Sequence, residues 1–330
     1  MRLPIAAVLG LLVALPSVAA EPLNPIAIDE WEVPYESSRP RDPYAQGDGV
    51  WFVGQRGHYL ARLDPAAGRF AKVDLDDGAG PHNLIVGRDG VVWYAGNLKG
   101  YIGRYDPAAG TTEKIDMPRR AARDPHTLIF DGDERHIWFT VQQGNFVGRL
   151  TVASRAVDLI LVPTRSARPY GIVVAPDGTP WIALFGTHKL ASVDPSTLAL
   201  TEHDLPDKSA RPRRLEVASD GRVYYVDYAK GRLGRLDPAT GAHEDWPMPS
   251  GDRARPYGMA VDARDRLWFV ETGPSPNTFV GFAPDTATFF SITPIPSGGR
   301  SVRHMAFHAP TGTVWFGTDA NTIGRARVGK

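Results

Sequence analysis

The sequence predicts an all-β fold, a seven-bladed β-propeller of four-stranded blades, on three observations. First, one phrase is written seven times. It reads roughly Pro–[Tyr/His], an apolar run, Asp-Gly, [Val/Ile]-Trp-Phe, then [Ile/Leu/Val]-Gly-Arg and Asp-Pro. Second, its anchoring aromatics, Trp51, Trp93, Trp138, Trp181, Tyr224, Trp268 and Trp315, recur at intervals of 42, 45, 43, 43, 44 and 47 residues. A period of about 40–45 residues is that of a propeller blade. Third, the last copy stops at Ile323-Gly324-Arg325 without a fourth strand, while the chain near its start has one to spare.

The elements follow in order. Residues 1–20 read as a secretory signal peptide. Arg2 supplies the charge, Leu3 to Pro16 is apolar, and Ser17-Val18-Ala19-Ala20 is a small-residue cleavage region. The apolar stretch is too short for a membrane span, so a periplasmic or secreted protein with no membrane anchor is expected. Residues 21–330 then form one propeller domain. Ile28–Val33 resembles the outer strands of the other copies and is predicted to complete the seventh blade, removing exposed sheet edges.

The second copy shows how a blade is built. Asn83 to Val86 is an apolar inner strand, and Asp89-Gly90 is a hairpin turn. Val91 to Ala95, β-branched and aromatic, is the second strand. Tyr101 to Tyr105 is the third, and Asp106-Pro107 opens a turn. Thr112 to Met117 is the outer strand. The repeated Trp residues are expected to fill the seams between blades.

Composition narrows the function. Charge is balanced, 37 basic against 37 acidic residues, which argues against a nucleic-acid or membrane-surface binder. There is no cysteine, so disulfides and thiolate metal sites are excluded. A monomer is expected, with a small-molecule ligand in the channel mouth.

The residue following each repeat's proline is predicted to face that mouth. In order these are Tyr44, His82, His126, Tyr170, Arg213, Tyr257 and, after Arg303, His304. The position before runs Asp42, Gly80, Asp124, Arg168, Arg211, Arg255 and Val302, acidic on one side and arginine on the other. Arginine's planar fork suits carboxylates. Strands one and two are antiparallel, so the end of each second strand should reach the same mouth. That brings His304 towards Asp319, Tyr257 towards Glu271 and Arg213 towards Asp227. A histidine beside a carboxylate can take a proton near neutral pH. Asp227, Glu271 and Asp319, from consecutive blades, could share one hard cation, Mg²⁺ or Ca²⁺.

The repeated Pro-[His/Tyr]…Asp-Gly…Trp-Phe…Ile-Gly-Arg…Asp-Pro phrase resembles the streptogramin B lyase (virginiamycin B lyase) family across about residues 27–328. The resemblance implies a seven-bladed propeller that opens a cyclic depsipeptide at its ester by elimination, using Mg²⁺ and a histidine base. By motif, the base corresponds to His304 in Val302-Arg303-His304-Met305, and the acid after the last Trp-Phe to Asp319. Two positions depart: a second family histidine is here Tyr257, and a family glutamate is here Val302. Glu271 is expected to replace the missing acid, making His304, Asp319 and Glu271 the expected catalytic set.

Two other readings stay open at the level of sequence. One is a lactone hydrolase of gluconolactonase type, with a cation held by Asn97, Asp227 and Glu271. The other is a non-catalytic propeller that binds a ligand or a protein. Fold alone does not choose among them.

Overall fold

The computed structural model describes residues 23–329. The expected leader, residues 1–20, lies outside the described residues. Seven antiparallel four-stranded sheets form the blades. Their inner strands are Pro40–Gln46, Pro81–Val86, Pro125–Phe130, Pro169–Val174, Pro212–Val217, Pro256–Val261 and Val302–His308. Within blades 1 to 6 the chain runs outward through three hairpins, so each sheet is a meander.

Blade 7 closes the ring as the sequence predicts. Its outer strand is the N-terminal Ile28–Glu32, antiparallel to Thr322–Arg327, with Trp31 opposite Ile323. The indole of Trp31 stacks on Trp315 at 5.6 Å, and the Arg325 guanidinium lies over both rings. Arg325 also donates to Asp29 at 2.7 Å. Closure is therefore covalent through six blades and non-covalent at one strand.

Each apolar cluster straddles a seam. Trp93 packs with Ile137 and Phe139 of the next blade. Trp51 packs with Leu84 and Val92, Trp138 with Ile172 and Ile182, and Trp268 with Val314 and Phe316. Trp315 packs back onto Val50 and Phe52 of blade 1, closing the circle. Burying these rings is the main stabilising term of a propeller, because a single sheet has no second layer of its own. The glycine of the Gly-Arg phrase has a packing cause. A Cβ on Gly103 or Gly148 would meet the ring of Tyr94 or Phe139 at 2.0 or 2.1 Å. In blades 2, 3, 5 and 7 the aromatic after the anchor, Tyr94, Phe139, Tyr225 or Phe316, thus lies over a third-strand glycine that has no side chain to displace it.

Every inner strand carries a β-bulge one or two residues after its start, as between Pro81 and Leu84 or Pro256 and Met259. A bulge inserts an extra residue and re-aims the side chains around it. Seven bulges at equivalent positions give the channel two successive rings of side chains at one end.

Candidate functional site at the channel mouth

The bulges correct the predicted register. Pro40 pairs with Gly54 as Pro81 pairs with Gly96, so blade 1 begins at Pro40 and not at Pro43. In blade 7 Val302 takes the proline's place, opposite Thr318. The first ring is therefore Arg41, His82, His126, Tyr170, Arg213, Tyr257 and Arg303. The second, one residue deeper, is Asp42, Asn83, Thr127, Gly171, Arg214, Gly258 and His304. Tyr44 leaves the mouth: it pairs with Trp51 beyond the bulge and packs into the seam against blade 2.

The first ring lines a cavity of about 560 Å³. Arg39, Gln55, Asn97, Arg123, Asp124, Gln142 and Gln143 complete its wall. Five of these lining residues are arginines, Arg39, Arg41, Arg123, Arg213 and Arg303, against one acid. That acid, Asp124, accepts from the backbone N–H groups of Gln143 and Gly144. In a concave site such a set focuses a positive field.

The second ring makes the floor. Arg214 crosses the channel from blade 5. Its Nη1 donates to Thr127 Oγ1 at 3.2 Å, its Nε donates to the Arg303 carbonyl at 3.1 Å, and its Nη2 stands 3.9 Å from Asp42. The reach is possible because Gly171 and Gly258, on the neighbouring blades, add no side chain to this ring. Asp42 accepts from Arg41 Nε and from Asn83 Nδ2, each at 3.0 Å. Burial opposes its ionisation, but Arg41, His304 and Arg214 hold its carboxyl far below the usual range.

His82 and His126 stack with ring centroids 3.6 Å apart. His82 Nδ1 lies 3.1 Å from the His126 carbonyl, which can only accept, so Nδ1 carries the proton. Burial, helped by Arg41 and Arg214, pushes both imidazoles well below their ordinary value and keeps them neutral. His304 lies by Arg214 and Asp42, and its Nδ1 has no partner. Burial and Arg214 lower its pKa to about 4, with Asp42 opposing.

Tyr170 packs its ring against His126, with centroids 4.2 Å apart, and its hydroxyl shares a hydrogen bond with that of Tyr257. The Arg213 guanidinium lies 3.5 Å from the centre of the Tyr257 ring and is enclosed by Tyr228, Phe185 and Tyr170. Burial works against ionising Tyr170. The charges of Arg213, Arg214 and Arg41, with the hydrogen bond from Tyr257, overcome it and bring the phenol below its ordinary value. Burial and the neighbouring Tyr170 raise Tyr257. Two titratable groups pushed apart by their surroundings are the pattern of an acid–base pair.

The three acids do not gather. Asp227 accepts from the backbone N–H groups of Arg211, Ala229 and Lys230 and so braces its own loop. Glu271 is fully buried and accepts from Ser250, backbone and hydroxyl, and from Thr278. Asp319 pairs with Arg303, and Arg39 stands 3.9 Å away. Turn N–H groups hold Asp227, an N–H and two hydroxyls hold Glu271, and the Arg303 guanidinium holds Asp319, in place of the expected Arg213–Asp227, Tyr257–Glu271 and His304–Asp319 pairs. Among the described residues no three His, Asp or Glu side chains group as a metal site. With the acids committed and guanidinium groups facing the cavity, the donor set does not fit Mg²⁺ or Ca²⁺.

Comparison with known proteins agrees with this architecture. The sequence profile of the virginiamycin B lyase family matches residues 24–275 and 160–329. The chain belongs to the virginiamycin B lyase family. It is 33% identical over 161 residues to a virginiamycin B lyase of Nocardia farcinica, and the match spans 49% of this chain and 53% of that relative, about half its length. Among solved structures, a streptogramin B lyase superposes with a TM-score of 0.83 at 22% identity, covering 94% of this chain and all of the other. A catalytically inactive histidine-to-alanine variant of the Staphylococcus aureus virginiamycin B lyase, with quinupristin, superposes with a TM-score of 0.82 at 20% identity, covering 92% of this chain and 99% of the other. At these identities the structural likeness is one of fold.

Sequence reasoning missed Arg41, Asn83, Arg214 and Arg303, and it placed Asp42 at the mouth but in the wrong register. One signal was available. The prolines at 81, 125, 169, 212 and 256 precede their aromatic anchor by 12 or 13 residues. Pro40 precedes Trp51 by 11 and Pro43 by only 8.

Proposed function

We propose that this propeller is a carbon–oxygen lyase that eliminates an oxygen substituent from a small molecule held in the channel mouth. The single observation that carries this reading is the hydrogen-bonded Tyr170–Tyr257 pair set among guanidinium groups. Elimination needs a base for a carbon acid beside a carbonyl, a positive group where charge develops on that carbonyl, and an acid for the departing oxygen. Tyr170, brought below its ordinary pKa, is the base. Arg213 and Arg41 face the developing charge. Tyr257, raised, protonates the leaving oxygen.

No step is routed through a cation, because the acids that would hold it are already bonded. His304 is a weak base with a pKa of about 4, and its charge-coupled neighbours Asp42 and Arg214 give it a part in ordering the floor. The leader read in the sequence supports action in the periplasm or outside the cell.

The relatives' name makes a cyclic depsipeptide ester the first compound to try, run in ¹⁸O-labelled water. The reading expects an unsaturated product of unchanged total mass and no label. Label in the product would mean hydrolysis, the lactonase outcome. Saturable binding of every ester without turnover would mean a binding propeller.

A further inference from the structure

We infer that the substrate of this site is a uronate-type sugar acid, an oligosaccharide whose ring carboxylate docks on Arg41, Arg213 and Arg303 and whose glycosidic oxygen, β to that carboxylate, is eliminated. The inference deepens the lyase reading and depends on it for the chemical step.

Four observations lead to it. The chain is neutral overall, 37 basic against 37 acidic residues, yet the mouth gathers five arginines, of which Arg41 pairs with Asp42 and Arg39 and Arg303 share Asp319, leaving Arg123 and Arg213 with no ion pair among the described residues. Two of those arginines keep buried donors without a hydrogen bond, Arg41 Nη2 and Arg213 Nε, and Arg214 Nη2 below them makes none either, its one contact being the 3.9 Å ion pair with Asp42. A buried charged donor left unpaired is costly, and a guanidinium that turns towards an oxyanion seated in the cup would relieve that cost. The rim repeats the sign: Arg123, Arg168, Arg211 and Arg255 stand on the crossings into blades 3 to 6, with no ion pair among the described residues. A ligand carrying one carboxylate would need only the cup, whereas one carrying several, spaced along a chain, would use cup and rim together. The wall across from the tyrosines is different in kind. Gln55, Asn97, Gln142 and Gln143 present carboxamides; Gln55 already accepts from Arg41 and Asn97 donates to the Pro125 carbonyl, while Gln142 and Gln143 can donate to and accept from sugar hydroxyls.

The chemistry closes on this class. A proton on the carbon α to a carboxylate is hard to remove because the product would be doubly negative. Guanidinium groups on the carboxylate remove that obstacle. The Tyr170 oxyanion takes the α proton, the electron pair forms the double bond to the β carbon, and the β C–O bond breaks. The departing oxygen takes the Tyr257 proton. The proton gained by Tyr170 then passes across the shared hydrogen bond and restores both groups. One chain yields an unsaturated acid and a shortened chain with a hydroxyl end, and no water or other reactant is consumed.

The test uses the full mature protein, a trimer of 4-linked galacturonate, its methyl-esterified form and, in parallel, a neutral cyclic depsipeptide. Affinity is read by calorimetry and turnover by the ultraviolet absorbance of the conjugated unsaturated acid. The free acid should bind, about 10–100-fold more tightly than the ester. It should give the absorbing product, with binding kept and turnover lost about 100-fold or more in both Tyr170→Phe and Tyr257→Phe. Arg168→Gln with Arg255→Gln, on the exposed rim, should weaken the trimer and flatten its salt dependence. Equal affinity for acid and ester, or none for the acid, would overturn the inference. Cleavage of the depsipeptide alone would overturn the substrate class and leave the lyase. Tight acid binding without unsaturated product would overturn the elimination and with it the inferred reaction.

Discussion

The seams between blades and the lining of the channel are drawn from the same repeat, a few residues apart, yet they obey opposite rules. Every seam is filled by one large aromatic from the second strand, in the same role seven times. The lining changes at every blade: Arg41, His82, His126, Tyr170, Arg213, Tyr257, Arg303. Packing demands are identical around a ring, so one solution is repeated. A ligand is not seven-fold symmetric, so a site is made by departing from the repeat. Positions where the phrase is kept are therefore structural, and positions where it is broken carry the chemistry.

The largest test of the first half removes the closing strand. Deleting residues 21–35 takes away the partner of Thr322–Arg327 and the Trp31–Trp315 stack. Cooperative thermal unfolding should be lost, and a sharp unchanged melt would show that closure does not depend on this strand. Within a seam, Trp268→Ala empties a fully buried site and removes an N–H donor to Asp262. It should cost about 3–5 kcal/mol in denaturant unfolding while the folded protein still binds its ligand. In the lining, Asp42→Ala leaves Arg41 and Arg214 buried without their anion, a loss of about 3–5 kcal/mol, and should also loosen ligand binding. A seam variant that spoils binding as much as this one would blur the division.

The smallest effect is in pH. His304 has a folded pKa of about 4, below the value of about 6.5 in an unfolded chain. Between those values the unfolded state binds more protons, so stability falls as pH drops from about 6.5 towards 4 and is unaffected by this group above that window. His82 and His126 act in the same direction. Asp42 adds a further loss only below about pH 4, where an unfolded aspartate protonates. His304→Gln should lose less stability than wild type across the first window, measured by denaturant melts at each pH.

The seams and the ring closure were legible because hydrophobic demands leave a period and a set of residue types in the sequence. The register of the mouth was harder. Pro40 and Pro43 lie in one short phrase, and a bulge, which decides between them, has no residue signature. Val302 in place of proline hid the equivalence of Arg303, and with it the depth of His304. The acids misled for another reason: a carboxylate that braces the backbone and hydroxyls around it, like Asp227 or Glu271, has the same spacing as one that faces a ligand. Only the direction of its hydrogen bonds separates the two.

The central claim is that guanidinium groups in a concave mouth hold Tyr170 ready to give up its proton. A spectrophotometric titration of phenolate in the folded protein tests it without any substrate. One tyrosine should ionise clearly below the value of about 10 for a free phenol, and that step should vanish in Tyr170→Phe and move upward in Arg213→Gln. A titration in which no tyrosine ionises before that value, or in which the early step survives Tyr170→Phe, would contradict it.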